Sequence, residues 1–170
     1  MKTRAEQLTA AIAIANKAHA GQTDRGGTPY ILHCIWVMER QSTTNRKICA
    51  VLHDVVEDTD VTLEDLRSAG FTERQVKTID LLTRRKNETK MDAIRRLISA
   101  YGTPEGQDAI YIKLEDNNHN RMLTRLRKIA QRDYERNCEY AEIYKLLYAA
   151  RTFAGTLAVD DPVELDFSVI

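Results

Sequence analysis

His53 to Thr59 reads HDVVEDT, four polar groups set inside an apolar run formed by Ile48, Val51, Leu52, Val55 and Val56. Those neighbours predict a segment packed into a core. Unpaired charge is costly in a core, so His53, Asp54, Glu57 and Asp58 should be neutralised or paired there. On a helix His53 and Glu57 share one face and Asp54 and Asp58 another, each pair being four residues apart. A bound divalent metal accounts for such a cluster most simply, and metal plus spare carboxylates equips a hydrolase.

Outward from this stretch the chain reads as consecutive helices with short connections, without repeats, low-complexity tracts or linkers. A first helix is expected from about Thr3 to Ala20, stopped by Gly21. Gln22 to Thr28 is a polar, glycine-rich loop, and Pro29 suits the first turn of a second helix, PYILHCIWVMER. A third helix is expected over Arg46 to Glu57. Thr62 with Asp65, Thr72 with Gln75 and Thr89 with Asp92 are cap pairs, opening three short helices that end near Ala69, Leu82 and Ala100. Tyr101 to Gly106 is expected to turn about Pro104. A helix from about Gln107 through Asn120 and a last long one from Asp133 to about Thr152 complete the series. No stretch alternates with period two, so the fold class is all-α. Residues 1–153 are expected to form one domain, with 154–170 a tail packed on it or partly extended.

At 170 residues the chain fits a single core. Hydrophobic content of 43% and charged content of 29% are those of a soluble globular protein. Basic and acidic residues both number 25, which argues against a global field for nucleic acid or an anionic membrane and leaves room for a local basic pocket. The N-terminal apolar patch is interrupted by Glu6, Gln7, Asn16 and Lys17, a pattern of an amphipathic helix rather than an export signal. No segment approaches the length needed to span a bilayer. Cys34, Cys49 and Cys138 lack CxxC spacing and are expected to be free intracellular thiols serving as small core hydrophobes.

Further candidates for a metal lie elsewhere. His33 sits among Ile31, Leu32, Ile35, Trp36 and Val37, and Asp116 follows Ile110, Ile112 and Leu114. Singly these read as a buried histidine with one hydrogen bond and a solvated carboxylate. With His53 and Asp54 they make a two-histidine, two-aspartate set suited to manganese, iron or zinc and poorly to calcium. Coordination positions left for water mark a catalytic site. Glu57 and Asp58, one turn along, are placed to orient a water, accept its proton or protonate a leaving group. His119 is expected to support the set without ligating, and His19 to end a helix. The basic run Arg121 to Lys128 reads as a solvated helix face, and Arg84, Arg85 and Lys86 as helix-end cations.

These motifs resemble the HD-superfamily phosphohydrolases, in the (p)ppGpp hydrolase branch of RelA/SpoT hydrolase domains and stand-alone small alarmone hydrolases. The matching stretches are AHAGQ (18–22), GGTPYILH (26–33), HDVVEDT (53–59), KLEDNNHN (113–120) and RNCEY (136–140), in the family's order across most of residues 10 to 150. The resemblance implies an HD-domain helical bundle with a mononuclear metal site held by His33, His53, Asp54 and Asp116, manganese being the expected ion. It implies that Glu57 and Asp58 activate water and that Asn120 holds substrate near the metal. It further implies that Arg25 packs on a guanine base and that Arg136 and Tyr140 reach the phosphate and sugar side; a planar guanidinium stacks well on a purine. The implied activity is hydrolysis of the 3′-pyrophosphate of ppGpp or pppGpp to GDP or GTP, by a stand-alone cytoplasmic enzyme without a synthetase domain. The implied partner is a small-molecule nucleotide, with no nucleic acid or membrane and with room for a homo-oligomer. Three positions depart from the family pattern: Asp24 replaces the first of a basic pair, Cys34 a proline and Glu115 an alanine. Asp24 keeps open a different nucleotide, such as NADPH acted on as a 2′-phosphatase. A non-catalytic alarmone-binding module is the other alternative, and the intact HDxxED acids favour an enzyme over it.

Overall fold

In the computed structural model, which describes residues 2–153, Thr3 and Glu6 exchange hydrogen bonds in a capping box and start α1 (Arg4–Ala18). Eight further α-helices follow among the described residues: α2 (Ile31–Glu39), α3 (Thr44–Val51), α4 (Val55–Asp58), α5 (Leu63–Ser68), α6 (Glu73–Leu82), α7 (Lys90–Ser99), α8 (Pro104–Arg121) and α9 (Gln131–Phe153). A 3-10 turn, Leu123–Arg125, links α8 towards α9. The described residues hold no strand, only an isolated bridge between Thr23 and Pro29 that closes the glycine-rich loop. The all-α expectation is met, and no described helix is long and apolar enough to cross a membrane. The tail 154–170 lies outside the described residues.

The three threonine caps work as their spacing predicts. Thr62 and Thr72 close capping boxes with Asp65 and Gln75, and Thr89 accepts from the Asp92 N–H. Four expectations need correction. The helix expected over Arg46–Glu57 starts earlier, on the Thr43 cap, and breaks after Val51. The chain then turns through Leu52–Asp54 before the single turn of α4. In an unbroken helix the Ala50 carbonyl would accept from the Asp54 N–H; here it takes the His53 ring nitrogen Nδ1 at 2.7 Å. A side chain bonded to a nearby carbonyl offers the backbone an alternative to the helix. Pro104 is not the centre of a turn but the first residue of α8, behind the Thr103 cap, where its missing N–H costs nothing. Arg121–Lys128 is no helix face, because α8 ends at Arg121 and the 3-10 turn follows. Cys34 and Cys49 are core residues, whereas Cys138 is exposed.

α8 is the central element, packed against α2, α3, α6, α7 and α9. Such a helix must be apolar on several faces, and Ala109, Ile110, Ile112 and Leu114 are all buried. Gly106 lets its first turn approach the end of α7: a Cβ there would collide with the Ala100 carbonyl. Asp108 fastens α8 to the rest. Its buried carboxylate accepts from Arg46 at 2.8 Å, Arg74 at 2.7 Å and Asn45 at 2.9 Å, tying α3 and α6 to one point. Without Asp108 the partly buried Arg46 and Asn45 lose their acceptor, while the half-exposed Arg74 can turn to water, so Asp108→Ala should lower unfolding stability by about 1–3 kcal/mol. Urea denaturation followed by circular dichroism measures it; a loss within experimental error of zero would show that the arginines do not depend on Asp108.

Candidate metal centre

Three separate elements converge below one cleft. α2 brings His33, the turn between α3 and α4 brings His53 and Asp54, and α8 brings Asp116. The helix break matters here. Adjacent residues of a helix project about 100° apart, but in the turn His53 Nε2 lies 2.9 Å from Asp54 Oδ2. His33 Nε2 is 3.3 Å from His53 Nε2, 3.5 Å from Asp54 Oδ2 and 3.3 Å from Asp116 Oδ1. Asp116 Oδ1 is 3.7 Å from His53 Nε2. His33, His53 and Asp54 offer donor atoms that all lie within 4.8 Å of one another. The cluster is deep, His53 being 1% exposed.

The outer nitrogens of both imidazoles are occupied, which directs the inner ones. His53 Nδ1 bonds the Ala50 carbonyl, an acceptor only, so Nδ1 carries a proton. His33 Nδ1 lies 2.7 Å from His119 Nδ1. Burial, with the charges of His33 and Arg125 nearby, brings His119 down to about 4, so near neutral pH it is an uncharged ring able to accept from His33. Both Nε2 atoms therefore face the centre. This is how ligating histidines are oriented, one nitrogen on the metal and the other on a fixed acceptor.

The electrostatics run the same way. Burial alone would raise the Asp54 and Asp116 carboxyls. The His53 charge and bonds from both imidazoles at Asp54, and Lys113 with both imidazoles at Asp116, hold them well below the usual carboxylate range. Burial disfavours charge on His53, yet Asp54 and Asp116 push it up to about 10. The two carboxylates thus draw positive charge into the cluster. Donors about 2.1 Å from a common centre stand about 3.0 to 3.4 Å apart in octahedral or tetrahedral arrangement, close to the separations seen here. The site could hold a divalent metal.

The other expected site residues fall around this cluster. Asn120, on α8, donates to Asp116 Oδ1 at 2.6 Å. Asp58 lies on the open side, with the Tyr30 hydroxyl 3.5 Å from Oδ2; burial and then the charges of Asp54 and Glu57 raise its carboxyl. Glu57 is turned away to Arg84, whose backbone N–H and Nε donate at 2.9 and 3.3 Å. Arg25 pairs with Asp133 at 2.6 Å. Arg136 donates to the Tyr140 hydroxyl at 3.0 Å. These side chains, with His33, Asp54 and Asp116, line one cleft of about 330 Å³ between the glycine-rich loop, α6, α7, α8 and α9.

Several participants escape sequence reading. Tyr30 donates to Asp54 Oδ2 at 2.7 Å, and Lys113 pairs with Asp116 Oδ2 at 2.8 Å. For Lys113 a signal exists, since it stands one helical turn before Asp116. Arg84 and Arg125 line the cleft through partners distant in sequence. His19 caps α1 as expected, but its Nδ1 meets the side-chain oxygen of Gln22 at 2.8 Å rather than a backbone carbonyl, and Gln22 in turn donates to the Asp58 carbonyl at 3.1 Å. AHAGQ therefore props the end of α4.

Stripping the protein with a chelator and adding back manganese should raise its melting temperature. A ligand at a hundred times its dissociation constant stabilises by about 2.7 kcal/mol. His53→Ala should remove the shift in scanning calorimetry. An equal shift in wild type and variant would place the ion elsewhere.

No family model matches the chain. It is 35% identical over 153 residues to the bifunctional (p)ppGpp synthase/hydrolase SpoT of Escherichia coli, covering 84% of this chain and 21% of SpoT. To a guanosine-3′,5′-bis(diphosphate) 3′-pyrophosphohydrolase of Aquifex aeolicus it is 32% identical over 124 residues, 68% of this chain and 17% of that one. The chain thus spans about a fifth of the length of the curated relatives it matches. Among solved structures, one described as a metazoan SpoT orthologue that hydrolyses ppGpp shares the fold. Its TM-score is 0.70 at 22% identity, over 89% of this chain and 91% of that one. Sequence and fold point the same way: the chain is similar in sequence to part of the SpoT and guanosine-3′,5′-bis(diphosphate) 3′-pyrophosphohydrolase proteins, and it shares the fold of the metazoan structure.

Proposed function

We propose that the chain is a metal-dependent hydrolase that removes the 3′-pyrophosphate of ppGpp or pppGpp, leaving GDP or GTP. The observation that carries this reading is the gathering of His33, His53, Asp54 and Asp116 beside a cleft that six cationic side chains line. The names of the relatives support the choice of substrate. His33, His53, Asp54 and Asp116 would hold the ion, manganese fitting this mixed nitrogen and oxygen set. When bound, a divalent cation acidifies the attacking water and polarises the phosphoryl group. We place residues 1–153 as the catalytic unit, acting in the cytoplasm on a small nucleotide.

Asp58 takes the general-base role. It stands beside the cluster, and burial with the charges of Asp54 and Glu57 raises its carboxyl, which makes it a better proton acceptor than an exposed aspartate. The water oxygen forms a bond to the phosphorus next to the ribose, and the bond from that phosphorus to the 3′ oxygen breaks. One water proton passes to Asp58, and Asp58 returns a proton to the departing 3′ oxygen, which leaves as a hydroxyl. Glu57 holds Arg84 at the cleft wall and would reach the water by releasing that partner. Asn120 steadies Asp116 and the phosphate, Arg136 and Tyr140 face the phosphate and sugar, and Arg25 can leave Asp133 to stack on the base.

One observation favours a second reading, hydrolysis of another nucleotide such as NADPH. The Asp24 carboxylate is turned to Arg125 at 3.1 Å, so the loop offers one cation where the family pattern has two. The two readings separate in a manganese-dependent turnover assay of ppGpp, with NADPH and GTP competing and products resolved by liquid chromatography. Release of pyrophosphate from ppGpp is expected; brisk turnover of NADPH alone would sink the substrate assignment. Asp58→Asn should lower kcat about a hundred-fold or more with manganese affinity unchanged, and Glu57→Gln should cost less. Full activity in Asp58→Asn would remove it from the mechanism.

A further inference from the structure

Asp24 departs from the family pattern, and the structure gives its carboxylate two tasks. Oδ1 accepts from the Gly26 and Thr28 N–H groups, each at 2.9 Å, and shapes the glycine-rich loop. Oδ2 pairs with Arg125 Nη1 at 3.1 Å across 101 positions of sequence. Both partners are largely shielded, with side chains 9% and 17% exposed. Gly26 completes the contact, because a Cβ there would collide with the Arg125 carbonyl.

The Arg125 guanidinium continues inward from Asp24. Nη2 donates to Asn120 Oδ1 at 3.0 Å, which fixes the amide so that Nδ2 donates to Asp116 Oδ1 at 2.6 Å. Nη1 also lies 3.4 Å from His119 Nδ1, the atom that meets His33 Nδ1 at 2.7 Å. A single planar cation thus touches the groups behind two of the four expected ligands. Lysine cannot do this, since its ammonium is a point charge without the guanidinium fork.

We propose that Arg125, anchored by Asp24, is a positioning residue that sets the orientation of Asp116 through Asn120 and of His33 through His119. The glycine-rich loop is thereby coupled to the metal centre, and the negative charge at position 24 serves that coupling. The inference rests on the metal centre described above but not on the identity of the substrate.

The test uses manganese alone, titrated into the metal-stripped 170-residue chain by calorimetry, with circular dichroism confirming helix content. Arg125→Met should bind manganese about ten-fold or more weakly, the range for loss of a group that orients a ligand. Asp24→Asn keeps an oxygen for the Gly26 and Thr28 N–H groups but loses the charge, and should weaken binding in the same direction. Arg125→Lys should fall between wild type and Arg125→Met. Manganese binding as tight as wild type in both Arg125→Met and Asp24→Asn would overturn the proposal. If Arg125→Met does not fold, Asp24→Asn and Arg125→Lys decide by the same criterion. Absence of manganese binding by the wild-type chain would overturn the metal centre and this inference together, while weakened binding without ppGpp turnover would leave the inference standing and remove only the substrate.

Discussion

Two carboxylates that meet the same pair of buried imidazoles, Asp54 and Asp116, set the terms for the structure around them. Burying one such charge is costly and burying two is worse, so positive charge has to be delivered to the same place. Two imidazoles and Lys113 do this, and the Tyr30 hydroxyl saturates Asp54 further. The pairing is directional. Each imidazole has its Nδ1 committed to an acceptor outside the cluster, leaving both Nε2 atoms within 3.3 Å of each other. A buried network of this kind is stable only when each member is satisfied, and its geometry then follows from its neighbours.

The architecture supplies that geometry from rigid pieces. His33 rides on α2, Asp116 on the central α8, and both helices belong to the packed core. His53 and Asp54 come from a turn, but one framed by buried Val51, Leu52 and Val55. The break after Val51 is therefore not a weakness in a helix. The His53 bond to Ala50 ends the helix, and the same bond fixes the ring that faces the centre. Fold and site meet in this one interaction, since groups built on packed elements keep positions that loops do not.

What was legible in the sequence follows from range. Threonine caps and helix ends near Ser68, Leu82 and Ser99 are local, decided within four residues, and the spacing of Thr62, Thr72 and Thr89 shows them. The motifs carrying His33, His53, Asp54 and Asp116 were visible in the sequence, and the packing of α2 and α8 about the turn brings these side chains near one another. The break at Leu52–Asp54 was hidden: apolar periodicity is the same for one helix or two, and the His53 side-chain bond leaves no mark in composition. Arg125 was hidden for the opposite reason. In sequence it belongs to a basic run with the appearance of a solvated face, and only the approach of Asp24 and Asn120 reveals it as largely shielded at the cleft.

The cleft also shows why zero net charge is compatible with a polyanionic ligand. Arg25, Arg84, Lys90, Lys113, Arg125 and Arg136 line it, against Asp24, Asp54, Glu57, Asp58 and Asp116. Most of these cations already hold a protein partner: Arg25 has Asp133, Arg84 has Glu57 and Lys90 has Glu139. A phosphorylated nucleotide would therefore be bound by exchange of partners rather than by capture on bare charge. The Arg84–Glu57 and Lys90–Glu139 pairs are exposed and contribute only about 0–1 kcal/mol, so giving one up for a phosphate costs little, whereas the carboxylate of Asp133 beneath Arg25 is buried. The sheltered pairs, Asp24 with Arg125 and Asp116 with Lys113, would cost more to break and stay with the scaffold. The division between exchangeable and fixed cations is what lets one cleft both hold its shape and admit its ligand.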